Sequence, residues 1–264
     1  MRMNGEKLCN HQSIKERIHF MDELRGFAIV LMVAYHGFYT MGYMFDVYVG
    51  RVLFLFFMPV EPFFAGMFIF ICGISCRLSH SNLKRGFLLL LVSLVITLVM
   101  WVFIPQELIL FGILHFLSIA ILMFVLLRPL LDGIHPLAGL LICGFLLLIT
   151  WWMPSDKGGV LGIKGLVSWQ LPQSLNQPWL FPLGFGELES SDYFPIFPWI
   201  FCFLGGSFFG VWAAEKRLPL WLYRRRVPVL SKLGKHTLLI YILHQPVIYA
   251  LCYLIFLLVG QVST

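Results

Sequence analysis

Charged residues are scarce in this chain. Only 12% of its 264 residues are Asp, Glu, Lys or Arg, whereas 59% are hydrophobic, and the mean hydropathy is +0.87. Water-soluble domains carry about 25% charged residues, so this supply is too small for a water-facing surface. The net charge is +6, but the basic residues cluster between apolar runs instead of covering one face. That pattern argues against nucleic-acid binding and favours cytoplasmic loops.

The chain also lacks the motifs of several common sites. Its six cysteines include no Cys-x-x-Cys pair, which argues against a disulfide framework or a cysteine-rich zinc site. The histidines show neither His-x3-His nor acid-paired spacing, so we expect no metal ion. No glycine-rich nucleotide fingerprint is present. Five cysteines fall inside apolar runs and are interpreted as small core residues: Cys72, Cys76, Cys143, Cys202 and Cys252.

Long apolar runs dominate what is present. A membrane-spanning helix needs about 20 mostly apolar residues, and seven runs qualify. They are 20–42, 52–75, 85–104, 108–127, 134–153, 193–213 and 237–260. The pattern predicts an all-α, polytopic transmembrane helix bundle of about seven spans, with 1–264 forming a single domain.

The segment 154–192, between the fifth and sixth runs, is rich in Gly, Pro and Trp. It is too broken for a helix and too apolar for a free loop. We expect a re-entrant outer segment that folds back over or into the bundle, where buried irregular backbone is tolerated.

The distribution of basic residues predicts the orientation. With the N-terminus in the cytoplasm, fifteen of the chain's 19 Lys and Arg residues fall on inner segments, three on outer segments, and Arg25 within the first run. This bias places the N-terminus inside and the C-terminus outside. The inner residues are Arg2, Lys7, Lys15, Arg17, Arg77, Lys84, Arg85, Arg128, Lys216, Arg217, Arg224, Arg225, Arg226, Lys232 and Lys235; the outer ones are Arg51, Lys157 and Lys164.

Two polar residues in the first run share one helix face. Arg25 and His36 are eleven residues apart, which corresponds to about 20° of azimuth and roughly 16 Å along a helix axis. Arg25 near the cytoplasm is suited to gripping a phosphate-bearing donor. His36 near the outside is suited to taking a proton from a hydroxyl or amine. Alternatively, Arg25 pairs with Asp22 or Glu23, and His36 is a hydrogen-bonded structural histidine.

Other polar residues lie within or beside the runs, where burial is costly and function is the default hypothesis. His115 is expected about eight residues into the fourth run and is either a second catalytic group or a structural one. His244 and Gln245 precede Pro246, which locally opens the helix. The opening is either part of a tunnel for the acyl donor or a simple kink. Asp192 is expected at the outer side of the membrane, directly before the sixth run. It is either a catalytic or substrate-binding residue or the cap of the sixth span.

The first run resembles the first span of multipass membrane acyltransferases. In the broad acyltransferase-3 group an Arg, ten residues and a His mark the active site, and Arg25 and His36 have that spacing. The closer resemblance is to bacterial proteins that share the catalytic domain of heparan-α-glucosaminide N-acetyltransferase. Four further segments occur in that family's order: Phe70–Ser75, Phe111–His115, Ser191–Trp199 and Leu239–Pro246. Together they cover most of the chain from about 17 to 250.

The resemblance implies a bacterial inner-membrane enzyme that moves an acetyl group from cytoplasmic acetyl-CoA to an acceptor at the outer face. The acceptor would be a glycan amine or hydroxyl, or a glycolipid, and membrane lipids are the expected surroundings. A homodimer is one allowed assembly. In the animal enzyme a key histidine lies in the outer loop after the first span, but this chain has none in Phe38 to Arg51.

Residue by residue, the resemblance implies that His36 is the catalytic base or acyl relay. His115 and Asp192 join it as catalytic candidates. Arg25, His244 and Gln245 are the candidate acetyl-CoA contacts, and Asp46 and Asp192 the candidate acceptor contacts.

One alternative function uses the same residues. A non-enzymatic transporter or flippase for a small saccharide or lipid could use the buried polar line as a proton relay. The absence of an inverted repeat is unlike the usual transporter layouts, which favours the acyltransferase.

Overall fold

The computed structural model describes residues 17–154, 159–163, 165–186, 190 and 192–259. The described residues form nine α-helices, five short 3₁₀ turns, one π-helical turn and one two-stranded sheet. Several residues used in the sequence-based predictions lie outside this part of the chain: Arg2, Lys7, Lys15, Lys157, Lys164 and Ser191.

The helices and strands follow one another in this order. They are α1 (His19–Tyr39), α2 (Tyr48–Phe57), α3 (Glu61–Leu78), α4 (Asn82–Phe103), α5 (Ile113–Leu131), α6 (Pro136–Thr150), β1 (Val160–Ile163), β2 (Val167–Gln170), α7 (Ile196–Ala214), α8 (Pro228–Lys235) and α9 (Thr237–Val259). The π-helical turn is Thr40–Met44, and the 3₁₀ turns are Met58–Val60, Pro105–Glu107, Gln173–Leu175, Pro178–Leu183 and Leu220–Leu222.

The predicted class is confirmed, because the chain is an all-α polytopic bundle. Six helical segments are long and apolar enough to cross a membrane: His19–Met44, Tyr48–Leu78, Asn82–Phe103, Ile113–Leu131, Ile196–Ala214 and Thr237–Leu258. The remaining run forms α6, an apolar helix of 15 residues. Large apolar side chains stand exposed on the helices, with Leu126 80% and Phe63 77% accessible. Such surfaces are costly in water and suit hydrocarbon.

Two helix boundaries differ from the predicted runs. The run 52–75 is interrupted by the 3₁₀ turn Met58–Val60, because prolines at 59 and 62 remove backbone donors and force a new helix start at Glu61. The run 108–127 becomes helical only at Ile113. Before it the chain is extended, and Phe111 forms a parallel bridge with Tyr193.

The described residues of the outer segment 154–192 contain no α-helix, as predicted. Strands β1 and β2 form an antiparallel hairpin, and its side chains are largely accessible, with Leu166 79% exposed. The following turn, Pro178–Leu183, folds back: Phe181 contacts the ring of Phe111, and its carbonyl oxygen accepts a hydrogen bond of 2.6 Å from the Tyr193 hydroxyl. The segment therefore combines an exposed hairpin with a docked turn.

The chain divides into two compact units. The first contains the residues up to Pro59 and those from Leu218 onward, and the second contains Val60–Arg217. In the first unit α1 packs against α2, α8 and α9, and in the second α3 and α6 pack against α7 and α4 packs against α5. The core of the second unit is built on fully buried aromatic rings, among them Phe116, Phe124 and Phe203.

Two glycines permit the close contact between α1 and α8: Gly26 on α1, and Gly234 on α8, where an added Cβ would collide with the carbonyl group of Asp22. A side chain at Gly26 would collide with the carbonyl group of Leu230, whose carbon lies 2.7 Å from the position of an added Cβ. The absence of a side chain lets two helices approach closely, a common packing device between membrane helices.

We predict that Gly26→Ala lowers the free energy of unfolding by about 1–3 kcal/mol, because the added methyl group overpacks the α1–α8 contact. The measurement is the thermal unfolding midpoint of the detergent-solubilised protein. Gly37→Ala is the matched control, since it lies on the same helix and an added Cβ there meets no heavy atom within 4 Å. Equal midpoints for the two variants would show that the close approach is not needed.

Candidate functional site

The first turns of α1 carry a buried carboxylate held between two arginines. Asp22 is only 3% exposed, and its oxygens lie 2.5 Å from Nε of Arg17 and 3.3 Å from Nη1 of Arg25. Hydrogen bonding to Asp22 raises the pKa of Arg17. The pairing of Arg25 with Asp22 is the helix-start alternative considered from the sequence. It also orients the guanidinium of Arg25, whose side chain remains 23% exposed.

Glu23 attaches a distant segment to α1. Its carboxylate is buried, with the residue 5% exposed, and one oxygen accepts hydrogen bonds from the backbone N–H groups of Arg226 and Val227, at 2.7 and 2.8 Å. These groups immediately precede α8, where backbone donors have no partner inside the helix. A negative charge is also favourable at this end of a helix. Glu23 therefore fixes the start of α8.

The basic segment before α8 is anchored by an aromatic stack. The guanidinium carbon of Arg226 lies 5.2 Å from the ring centroid of Trp221, a cation–π geometry. The ring of Trp221 in turn meets Phe20 edge-on at 5.3 Å. The stack and Glu23 together hold this segment against the beginning of α1.

His36 and His244 come together within the first unit. His36 lies in the last turn of α1 and His244 in the second turn of α9, and their ring centroids are 5.0 Å apart. The His36 ring also meets Tyr35, and His244 meets Tyr241. Because α1 and α9 are distant in the sequence, only the packing of the helices creates this pair.

The tautomer of His244 follows from its hydrogen bond. Nδ1 lies 2.6 Å from the carbonyl oxygen of Tyr241, and a carbonyl only accepts, so Nδ1 carries the proton. In the neutral ring Nε2 then has a free lone pair. This atom is buried and has no hydrogen-bond partner among the described residues. The same holds for Oε1 of Gln245 and Oγ1 of Thr40, one turn beyond His36.

Asp46 lies between the π-helical turn and α2. It forms an ion pair with Arg51, and Nε of Arg51 also donates to the carbonyl of Gly42 at 3.0 Å. The carboxylate side chain is 84% exposed. Its assignment as an acceptor contact stays a prediction.

His115 lies in the second unit. It is in the first turn of α5, not eight residues into a span as predicted from the sequence, because the helix begins at Ile113. Its Nε2 is 3.2 Å from Oγ1 of Thr97, whose hydroxyl donates to the carbonyl of Ile109 at 2.7 Å. The Thr97 proton is thereby used, so His115 donates through Nε2 and leaves Nδ1 as its acceptor atom.

Asp192 caps the helix that carries His115, whereas the sequence suggested a cap on the sixth span. One carboxylate oxygen lies 3.3 Å from the backbone N–H of Ile113 at the start of α5. A side chain at Gly112 would meet that oxygen at 2.6 Å, so the glycine permits the approach. Glu61, at the start of α3, lies within electrostatic reach of Asp192.

The hydroxyl of the neighbouring Tyr193 keeps its proton and donates a hydrogen bond. Burial raises the pKa of its hydroxyl to about 12, which keeps the proton that it donates to the carbonyl of Phe181. The bond joins the docked turn of the outer segment to the strand-like stretch beside α5. Within the part of the chain that the structure describes, no group of three or more His, Cys, Asp or Glu residues has metal-binding geometry.

Comparison with known proteins identifies the family. The model of the family "Heparan-alpha-glucosaminide N-acetyltransferase, catalytic" matches residues 17–246. The chain belongs to this family. No curated protein and no solved structure matches the chain. Family membership indicates a membrane acetyltransferase, and the matched range includes residues of both units.

The acetyltransferase residues predicted from the sequence fall into two groups. Arg25, His36, Asp46, His244 and Gln245 lie in the first unit, whereas His115 and Asp192 lie in the second. The contact between His36 and His244 was not predicted, nor was the attachment of α8 by Glu23. For His244, an ionisable residue beside a proline in an apolar run was the available signal. The partner of Glu23 is a pair of backbone groups, which leaves no signal in the sequence.

We predict that Glu23→Ala accelerates trypsin cleavage after Arg224, Arg225 and Arg226 at least severalfold. Two backbone donors lose their acceptor, which costs about 1–3 kcal/mol and raises the population of the open segment. Cleavage is followed by gel and mass spectrometry. Glu23→Gln keeps an acceptor oxygen and should be cleaved nearly as slowly as the wild type. Identical cleavage rates for all three proteins would contradict the anchoring role.

Proposed function

We propose that this acetyltransferase moves an acetyl group from acetyl-CoA on the cytoplasmic side to a glycan amine or hydroxyl on the outer side, with the pair His36–His244 as its catalytic centre. The observation that carries the proposal is the buried, unpartnered Nε2 of His244 next to the ring of His36. An unprotonated imidazole nitrogen is the group that a proton-accepting catalyst requires.

In the proposed reaction the acceptor nitrogen or oxygen attacks the thioester carbonyl carbon of acetyl-CoA. The new C–N or C–O bond forms, the C–S bond breaks, and the acceptor's proton passes to Nε2 of His244 and then to the departing CoA sulfur. The Tyr241 carbonyl holds the Nδ1–H of His244 and stabilises the imidazolium that forms. His36 was predicted to be the catalytic base or an acyl relay. Because its ring centroid lies 5.0 Å from that of His244, we propose that it relays the proton or orients the acceptor.

Arg25 is proposed to contact the donor. It lies eleven residues before His36 on α1, about 16 Å along the helix axis. If Arg25 binds the phosphates of acetyl-CoA, the pantetheine arm of the same molecule would span the distance to the histidines. Asp22 orients the guanidinium. The unpartnered Oε1 of Gln245 is the second candidate donor contact.

We propose Asp46 and Asp192 as acceptor contacts and His115 as a positioning group, since its Nδ1 is left as a hydrogen-bond acceptor by the bond to Thr97. The proposed location is the bacterial inner membrane, with the N-terminus inside and the C-terminus outside, as the distribution of basic residues predicts. A homodimer is compatible with this arrangement.

We predict that His244→Ala reduces CoA release from radiolabelled acetyl-CoA by about 10²–10⁴-fold, the usual contribution of a general base. Water serves as the acceptor in this assay because it needs no assumption about the glycan. His236→Ala is the matched control, an exposed histidine between α8 and α9, and should retain wild-type rates.

Binding must be measured alongside turnover. Acetyl-CoA should raise the unfolding midpoint of both variants, since a ligand that binds the native state stabilises it. Binding without turnover in His244→Ala would support the proposed role. Absence of both binding and CoA release in the folded wild type would refute the acetyl-CoA-dependent reaction and favour the transporter alternative.

A further inference from the structure

The second unit contains a cavity that the proposed chemistry does not use. It has a volume of about 150 Å³ and lies between the end of α3, the start of α4 and the last turns of α5. Polar side chains on its wall come from Ser79, His80, Asn82 and Arg128, and Phe124 forms part of the apolar wall.

Positive charge surrounds this cavity. Arg128 lines it directly, and its side chain is 49% exposed, so it can turn toward a ligand. Arg85 follows in the first turn of α4. The acidic residue beside these cations is Asp132, which follows the last residue of α5. It already pairs with Arg77, and one of its carboxylate oxygens lies 3.6 Å from Nε of Arg128. The cations therefore outnumber the acid.

Arg77 does not line the cavity but packs on the ring of Phe124, which does. Its side chain is only 6% exposed, and its guanidinium lies over the Phe124 ring, 5.2 Å from the centroid. Nε donates to the carbonyl of Ser207 at 3.1 Å, but Nη2 is buried without a partner among the described residues. A buried guanidinium N–H without an acceptor is costly, and an anion nearby would reduce that cost.

The start of α4 contributes backbone donors. This helix has 22 residues, and no side-chain hydrogen bond caps its N-terminus. The Asn82 side chain is committed elsewhere, since its Nδ2 donates to the carbonyl of Cys76 at 2.7 Å. The first N–H groups of a long helix bear a partial positive charge and favour a bound anion.

We propose that this cavity binds a phosphate group, with Arg128 as the principal side-chain contact and the first turn of α4 supplying backbone donors. A tetrahedral, multiply charged oxyanion matches a cationic side chain and a helix N-terminus at the same site. Two sources share this chemistry: the phosphates of a nucleotide such as coenzyme A, and the headgroup of an anionic phospholipid. Neither His36 nor His244 lines this cavity, so binding of a phospholipid headgroup is independent of the proposed reaction, whereas binding of coenzyme A rests on the proposed function.

The test compares three variants in nanodiscs of phosphatidylcholine. Arg128→Gln removes the lining charge, and because Arg128 is half-exposed the fold should tolerate the change. Leu83→Trp fills the cavity without changing any charge, since Leu83 also lines it. Lys84→Gln is the matched control: it removes the same charge from an exposed neighbour outside the lining residues.

Two probes distinguish the sources. The affinity for coenzyme A is measured by titration, with pantetheine as the phosphate-free comparison, and retention of phosphatidylglycerol is measured by native mass spectrometry. A loss of about tenfold or more in coenzyme A affinity in Arg128→Gln and Leu83→Trp, but not in Lys84→Gln or for pantetheine, would assign a nucleotide phosphate. Loss of bound phosphatidylglycerol in the same two variants would assign a lipid headgroup.

Either result supports the phosphate site, because both depend on the cavity and not on the total charge. Equal behaviour of Arg128→Gln and Lys84→Gln with both probes would overturn it. Full binding of both probes by Leu83→Trp would do the same.

Discussion

Hydrocarbon cannot form hydrogen bonds, so each polar group that a membrane protein buries must find its partner within the protein. Most buried polar residues here obey this constraint. Asp22 is paired with two arginines, Glu23 accepts two backbone N–H groups, and His115 donates to Thr97. Nε2 of His244 is one of the few buried polar atoms without a partner among the described residues, and its ring lies beside that of His36. It is the atom on which the catalytic proposal rests.

The same constraint explains why the two ends of α1 differ. Near its start, the carboxylates of Asp22 and Glu23 are used to hold Arg25 and the beginning of α8 in place. Near its end, His36 meets His244 through ring contact, and Nε2 of His244 has no hydrogen-bond partner among the described residues. The carboxylates at one end are therefore committed to partners within the protein, and the other end keeps hydrogen-bonding capacity for a substrate.

Hydropathy and charge predicted the class of fold, because both are local properties of the sequence and do not depend on how the helices pack. The interruption at Met58–Val60 escaped prediction because those residues are themselves apolar, and only the prolines at 59 and 62 marked it. The roles of Asp192 and Glu23 as partners of backbone groups depend on tertiary approach. For the site, the sequence nominated His36 and His244 separately. Their contact needed the arrangement of α1 and α9.

We propose that His36 and His244 act as one catalytic unit, and a double-variant cycle on the rate of CoA release would show whether they do. Residues that act as a unit show strongly non-additive losses. If the two histidines act together, a protein with both His36→Ala and His244→Ala is about as slow as the slower single variant. Losses that multiply, in folded proteins that still bind acetyl-CoA, would show that the two histidines act independently and would contradict it.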